Sequence, residues 1–234
     1  HCNKLTRIVY GCLNSLSQNS VGGALADSTV FSGVKVTLFG HASILLEADG
    51  MAVYVDPFVL PKGAAPADVI LYTHGHFDHC APAPSITTSR TVAIGHGCKL
   101  PVRVMDVDGR EKVGGVAIEA VDAYNIDKPY HPKGAGVGYV IQFRSTRVYV
   151  AGDTDFVPEM KHVKCDIAIL PIGGTYTMDA KEAALAVAAI APKVAIPYHY
   201  NYLAETKADP MEFRLAAEQL VGGRVDVRIL TPVR

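Results

Sequence analysis

Within six residues, His74-Gly75-His76-Phe77-Asp78-His79, the chain gathers three histidines and a carboxylate. They follow directly on an apolar run, Val69-Ile70-Leu71-Tyr72, that reads as a buried strand. A tight loop at a strand's end turns alternate side chains inward, so His74 and His76 can bind one divalent ion while Asp78 and His79 reach toward a second. The competing reading is a solvated loop that happens to be rich in histidine. It explains the pattern less well, because histidines packed this closely repel one another when protonated and suit a metal when neutral.

The bulk properties narrow the field of partners. A chain of 234 residues with 49% hydrophobic and 19% charged side chains fits one globular domain with a large core. Its 22 basic and 23 acidic residues leave a net charge of -1, so no basic surplus points to nucleic acid or an acidic membrane. No apolar run approaches the ~18 residues of a membrane span. The expected partner is a small-molecule substrate, with neither nucleic acid nor membrane. The five cysteines are widely spaced and form no CxxC pair. They read as mostly buried thiols of a reducing compartment, hence a cytoplasmic protein without a disulfide framework. Cys80, directly after His79, reads equally well as a neighbour of the metals or as a small core residue. His1 stands where Met is usual, and Cys2 beside it leaves a trimmed export signal open.

Residues 1–32 are rich in Ser, Asn and Gly and read as an N-terminal extension with one short strand around Arg7 to Tyr10. From Val34 a meander of three strands is expected, Val34 to Phe39, Ser43 to Glu47 and Met51 to Val55, split by turns at Gly40 and Asp49-Gly50. Asp56-Pro57 closes the third strand. Asp56 either orients a ligand histidine or caps the turn, and His41, in the first turn, reads first as a structural histidine and second as a residue of a turn that opens onto the same edge. Pro82 and Pro84 break up any long helix. Further strands are expected over Thr91 to Ile94, Val102 to Val107, Val116 to Val121, Val137 to Phe143, Arg147 to Val150, Asp166 to Leu170, Val194 to Ile196 and Val225 to Leu230. His96, in a turn, reads as surface or pocket rim. Helices are expected over Asp179 to Ile190 and from Asp209-Pro210 to Leu220, the second opened by an N-cap Asp and a proline at the first helical position. Again and again a short apolar strand ends at a metal-ligand type: at His74, near His131, at Asp153 and at His199. If the strands lie side by side, those ends share one sheet edge, where pockets in layered α/β folds form.

The order His74-x-His76-x-Asp78-His79, then His131, Asp153 and His199, resembles the metallo-β-lactamase superfamily from about Val34 to the C-terminus. A closer likeness is to the ascorbate-6-phosphate lactonase-like branch of metal-dependent hydrolases. It is carried by Gly40-His41-Ala42-Ser43, Asp56-Pro57, Gly152-Asp153-Thr154, Pro171-Ile172-Gly173-Gly174 and Ile196-Pro197-Tyr198-His199. The resemblance implies a four-layer αββα sandwich over residues 33–234 with a two-metal site at one edge of the β layers. It implies His74, His76 and a third histidine on one ion, Asp78, His79 and His199 on the other, and Asp153 bridging them. His131, before Pro132-Lys133-Gly134, fits the third position as the wider superfamily has it; Asn125 stands where the lactonase-like branch would have it, and is given a supporting or pocket role. The metals expected are two divalent ions, zinc first, with manganese or iron also accommodated by His/Asp ligands.

The chemistry follows from the ligands. Two divalent ions lower the pKa of a shared water toward ~7 and polarise a carbonyl or phosphoryl oxygen, and Asp78 is the candidate to orient that water and carry its proton. Tyr176, Tyr198, Tyr200 and Asn201 are candidates to contact substrate, with core packing an equal reading for each tyrosine, and Lys128 and Lys133 read first as solvated charges and second as partners of an anion. The expected function is a metal-dependent hydrolase acting on a small-molecule ester, lactone or phosphoester. Three readings compete: a phosphodiesterase or nuclease on the same metals, a mononuclear iron sulfur-dioxygenase type of redox enzyme, and a non-catalytic metal-binding protein. In the diiron redox branch Glu is typical where this chain has His76.

Overall fold

The computed structural model describes residues 28–232, so the strand expected around Arg7 to Tyr10 lies outside the described residues. Two seven-stranded sheets face each other. The first runs β1 (Ser28–Phe31), β2 (Val34–Gly40), β3 (Ser43–Ala48), β4 (Met51–Val55), β5 (Val69–Tyr72), β6 (Val92–Gly95) and β7 (Arg103–Val104), in chain order across the sheet. The second consists of β8 (Arg110–Val113), β9 (Val116–Ala123), β10 (Gly136–Phe143), β11 (Thr146–Val150), β12 (Ile167–Pro171), β13 (Val194–Tyr198) and β14 (Asp226–Val227), also in chain order. In each sheet an antiparallel meander gives way to parallel strands, β4 to β7 in the first and β11 to β14 in the second.

Alternation decides which side chains meet between the sheets. Val34, Val36 and Leu38 of β2, Ile44 and Leu46 of β3 and Val53 and Val55 of β4 pack in one core with Ile118, Ile141, Val148, Ile169 and Ile196 from the second sheet. The outer face of the second sheet is covered by α1 (Ala180–Ile190) and α2 (Pro210–Val221), which pack on each other and on β12 and β14. Asp179 caps α1 through a capping box with Glu182, and Asp209 caps α2 ahead of Pro210. The outer face of the first sheet is covered differently. Phe39, Tyr54, Ile70 and Tyr72 lie under loop residues such as Val59, Leu60, Ala83 and Ile86, and neither α1 nor α2 contributes to this cluster. Pro61, Pro66, Pro82 and Pro84 disfavour a helix in those connections.

Four expectations need amendment. Ser28–Phe31, within the stretch read as an extension, pairs with β2. The strand expected over Val102 to Val107 shrinks to Arg103–Val104, because only two residues pair with β6 before the chain turns, with Gly109 N–H bonded to Asp106 O. The terminal strand shrinks likewise to Asp226–Val227, paired with Val194 and Ala195 alone. The expectation of unpaired thiols fails for Cys80 and Cys98, which form a disulfide with Cα atoms 5.8 Å apart. Parallel neighbours β5 and β6 deliver their following loops to the same place, which brings together two cysteines that a separation of 18 residues keeps apart in the sequence. Cys165 stays unpaired. No helix among the described residues is long and apolar enough to cross a membrane.

At one edge the two sheets are stitched together. His74 forms an isolated bridge with Gly136, Val137 N–H donates to Thr73 O, the Tyr139 hydroxyl donates to Tyr72 O, and His199 N–H donates to His41 O. A Cβ on Gly136 would sit 3.2 Å from the Cβ of His74, so a small residue is needed for this approach.

Candidate metal centre

Every element that ends at the stitched edge contributes a side chain to it. His41 comes from the turn after β2, Asp56 follows β4, His74 to His79 follow β5, Asn125 follows β9, His131 precedes β10, Asp153 follows β11 and His199 follows β13. Three of these residues, His41 (φ 50°), Asp56 (φ 44°) and His199 (φ 57°), hold left-handed backbone conformations that cost energy in a non-glycine residue. Their clustering at one edge is the pattern expected where geometry is set by a site.

The first cluster is made of three imidazoles. His74 Nε2 lies 3.0 Å from His76 Nδ1, which lies 3.2 Å from His131 Nε2. The opposite nitrogens of two of these rings are occupied. His74 Nδ1 donates to Thr73 Oγ1 at 3.0 Å, and His131 Nδ1 donates to Asn125 Oδ1 at 3.1 Å and to Tyr176 O at 3.2 Å. A proton on each Nδ1 leaves the Nε2 lone pairs converging. Burial pushes both rings below the ordinary imidazole range, with neighbouring histidines adding to the effect, so they are neutral donors at neutral pH.

The second cluster centres on Asp153. Its Oδ2 stands 3.5 Å from His79 Nε2 and 3.4 Å from His131 Nε2, and its Oδ1 stands 3.3 Å from His199 Nε2, so one carboxylate faces both groups. His79 Nδ1 donates to Asp56 Oδ2 at 2.7 Å, and the same carboxylate accepts from Thr73 N–H at 2.8 Å and Thr73 Oγ1 at 2.6 Å. Asp56 thus fixes the ring of His79 and ties it to the backbone of the strand that delivers it. Burial would lower the pKa of His79, but the carboxylates of Asp153 and Asp56 on either side raise it well above its usual value. His79 Nε2 is the nitrogen that would face a cation in place of that proton. Burial pushes His199 down to about 4, leaving it neutral. The carboxyl of Asp78 would rise on burial, yet the hydrogen bond from His41 Nε2, 2.9 Å from Asp78 Oδ2, and the charge of His79 hold it well below the carboxylate range.

These residues fit divalent cations on a test internal to the structure. His79 Nε2, Asp153 Oδ1 and His199 Nε2 are buried without a hydrogen-bond partner. Such atoms cost stability unless something accepts their lone pairs. Donor atoms of His74, His76 and His131, of His74, His79 and Asp153, and of His41, His79 and His199 lie within 4.8 Å of one another in each group.

Beside the clusters is a cavity of ≈ 290 Å³ lined by His76, Asp78, His131, Asp153 and His199 together with Phe77, Tyr130, Tyr176 and Leu203. Six of the seven ligand candidates fall in these groups; Asp78 falls in none, its carboxylate being on His41 Nε2 at the cavity wall while His41 joins His79 and His199, and Tyr176 lines the cavity. Asn125 stands behind His131, its Oδ1 also accepting the His131 N–H at 2.9 Å while its amide donates to Asp155 and to Tyr176 O. Tyr198 is fully buried and does not reach the cavity, so substrate contact is closed to it; its phenol is raised well above its usual pKa, first by burial. Tyr200 is buried too, with its hydroxyl on Leu230 O, because the chain turns it toward the helices. The Asn201 amide is used on Ala208 in the following loop. Lys128 is held by Asp155 and Thr177 O, and Lys133 by Glu159, so neither is free for an anion in the cavity. His96 is half-buried and outside the cavity lining, its Nε2 donating to Gly134 O and its Nδ1 3.1 Å from Asp106 Oδ1.

Asp155 was not legible as a site residue. It accepts from Asn125, from Ile126 N–H and from Lys128, and so anchors the whole loop that carries His131. Its position two residues after Asp153 was the available signal. The rim aromatics Phe58, Tyr130 and Tyr202 were missed as well, since an aromatic in a loop carries no pattern of its own.

Comparison with known proteins agrees with this geometry. Residues 35–199 match the family model described as beta-lactamase superfamily domain. The chain is 37% identical to a UPF0173 metal-dependent hydrolase of Methanopyrus kandleri over 85% of its length and 97% of the relative's, and 34% identical to one from Archaeoglobus fulgidus over 85% and 96%. Among solved structures it is similar to a candidate metal-dependent hydrolase from Parabacteroides distasonis, at a TM-score of 0.75 and 32% identity over 88% of this chain and 97% of that one. It is also similar to Igni18, a metallo hydrolase from Ignicoccus hospitalis, at a TM-score of 0.68 and 29% identity over 85% and 95%.

Proposed function

This chain belongs to the beta-lactamase superfamily domain family and, within it, to the UPF0173 metal-dependent hydrolases, and on that footing we propose that it hydrolyses a small-molecule ester, lactone or phosphoester with two divalent ions, zinc foremost. The observation that carries the reading is the placement of Asp153, one carboxylate facing His131 and His79 through Oδ2 and His199 through Oδ1. His74, His76 and His131 would hold one ion and Asp78, His79 and His199 the other, with Asp153 between them. When bound, the ions supply a water acidic enough to attack near neutral pH and polarise the oxygen of the bond to be cleaved.

The chain's own groups supply the rest. Asp78, oriented by His41, sits on the cavity and is placed to accept the proton of the attacking water. Water adds at the acyl or phosphoryl centre, the bond to the leaving oxygen breaks, and the proton collected by Asp78 passes to that oxygen, so an ester gives an acid and an alcohol. Asp56 and Asn125 act through the rings they fix. Tyr176, on the cavity wall, is within the lining that meets substrate. In the Gly40-His41-Ala42-Ser43 turn, Ser43 Oγ donates to Asp56 O and accepts from Val59 N–H, fixing the loop that carries Asp56. A panel of esters, lactones, phosphodiesters and thioesters, run on protein of measured metal content, tests the proposal. Metal-dependent turnover of at least one class is expected, and metal-loaded protein inert to all of them would overturn it.

A further inference from the structure

The mouth of the cavity is aromatic and holds no cation. Phe77 is 75% exposed although it stands between two ligand candidates, and its contact is an edge-to-face one with Phe58 at 6.0 Å. Phe58 in turn meets Tyr202 at 6.3 Å, and Tyr202, 48% exposed, lies 5.3 Å from the ring of His41. Tyr130, 43% exposed and also in the cavity lining, stands edge-on to Tyr176 at 4.7 Å. The alternation of the metal loop forces residue 77 to point away from the ions, but it does not force that residue to be phenylalanine. Large apolar faces left in water at a site mouth favour an apolar occupant, which removes them from solvent. Neither lysine nor arginine lines the cavity. The two lysines nearest in sequence are spent on Asp155 and Glu159, so an anionic arm beyond the reacting bond would find no counter-charge.

We infer that the substrate is an uncharged ester or lactone bearing an apolar arm, aryl or medium-chain alkyl, held against Phe77 and Tyr130 of the cavity lining, with Phe58 and Tyr202 continuing the aromatic surface outward from Phe77. This rests on the hydrolase reading above and narrows it away from phosphoesters. Straight-chain hydroxamic acids, from acetohydroxamate to octanohydroxamate, separate the two ideas when their binding to metal-loaded protein is followed by calorimetry. The hydroxamate head reports the metals and the chain reports the aromatic mouth. Affinity is expected to rise about threefold per added methylene over the first several carbons, and a chain ending in a carboxylate is expected to bind more weakly than its methyl-ended counterpart. Phe77→Ser and Tyr202→Ser should each flatten that rise; Tyr202→Ser lies outside the metal loop and so reads the mouth without disturbing ligands. Affinity independent of chain length, or tighter binding of the carboxylate-ended chain, would overturn the inference while leaving the hydrolase reading standing. Failure of every hydroxamate to bind would overturn both.

Discussion

Asp78 is fixed from one side by the imidazole of His41 and opens on the other to the cavity, a position suited to carrying a proton. Asp78→Ala is expected to lower kcat/KM about 10³-fold on whichever substrate turns over, and undiminished turnover would remove Asp78 from the mechanism. At the loop between Asn125 and His131 the geometry separates holder from held. His131 Nε2 points into the cluster while Asn125 grips the opposite edge of the ring. Asn125→Ala should therefore weaken metal binding about 10- to 100-fold, and His131→Ala should weaken it further, in a chelator competition; the reverse order would make Asn125 the ligand. The sequence made His74 to His79 legible because four candidate ligands, three His and one Asp, fall in one loop. It could not choose among Tyr176, Tyr198 and Tyr200, because which side of a strand end faces the cavity depends on the partner sheet.

At the scale of the element, the sheet edge depends on close approaches that side chains would spoil. Gly152 has φ +71°, and a Cβ there would lie 2.8 Å from Val137 O. Gly152→Ala is expected to cost roughly 1–3 kcal/mol and to displace the neighbouring Asp153, seen as lower Tm together with metal loss. The disulfide between Cys80 and Cys98 closes a short loop behind the metal residues, and Cys98→Ser should cost about 3 kcal/mol in unfolding experiments without reductant. Asp166, ahead of β12, shows a pH effect away from the metals. Burial would raise its carboxyl, but Lys193 at 2.8 Å and Arg147 N–H at 2.9 Å hold it below its ordinary value. A depressed carboxyl stabilises the fold above its unfolded pKa, and that contribution fades as pH falls through its folded pKa. Asp166→Asn should lower the unfolding free energy at pH 7 by about 1 kcal/mol given the exposure of Lys193, read as a lower Tm, and the gap should narrow in acid. The strands with clean alternation were readable. The short edge strands β7 and β14 were overestimated because an apolar stretch does not reveal how many partners it finds, and the cysteine pair was invisible because only the parallel neighbours β5 and β6 bring it together.

In the molecule as a whole the two sheets share one core and meet again at one edge through seven ligand candidates drawn from both. Sheet one supplies His74, His76, Asp78 and His79, and sheet two supplies His131, Asp153 and His199. Ions bound there would tie the sheets together, so chelation is expected to lower Tm, and divalent metal to restore it by an amount that grows with metal concentration. The many strands and the two helices were legible from the order of apolar runs and caps, and the two-sheet sandwich from the family resemblance; the loop cover on the first sheet was not, since prolines exclude helix without saying what replaces it. The most direct measurement is elemental analysis of the purified, metal-saturated protein. Two equivalents of divalent metal per chain are predicted, falling to one or fewer in His199→Ala; a single tightly bound iron per chain would contradict the account.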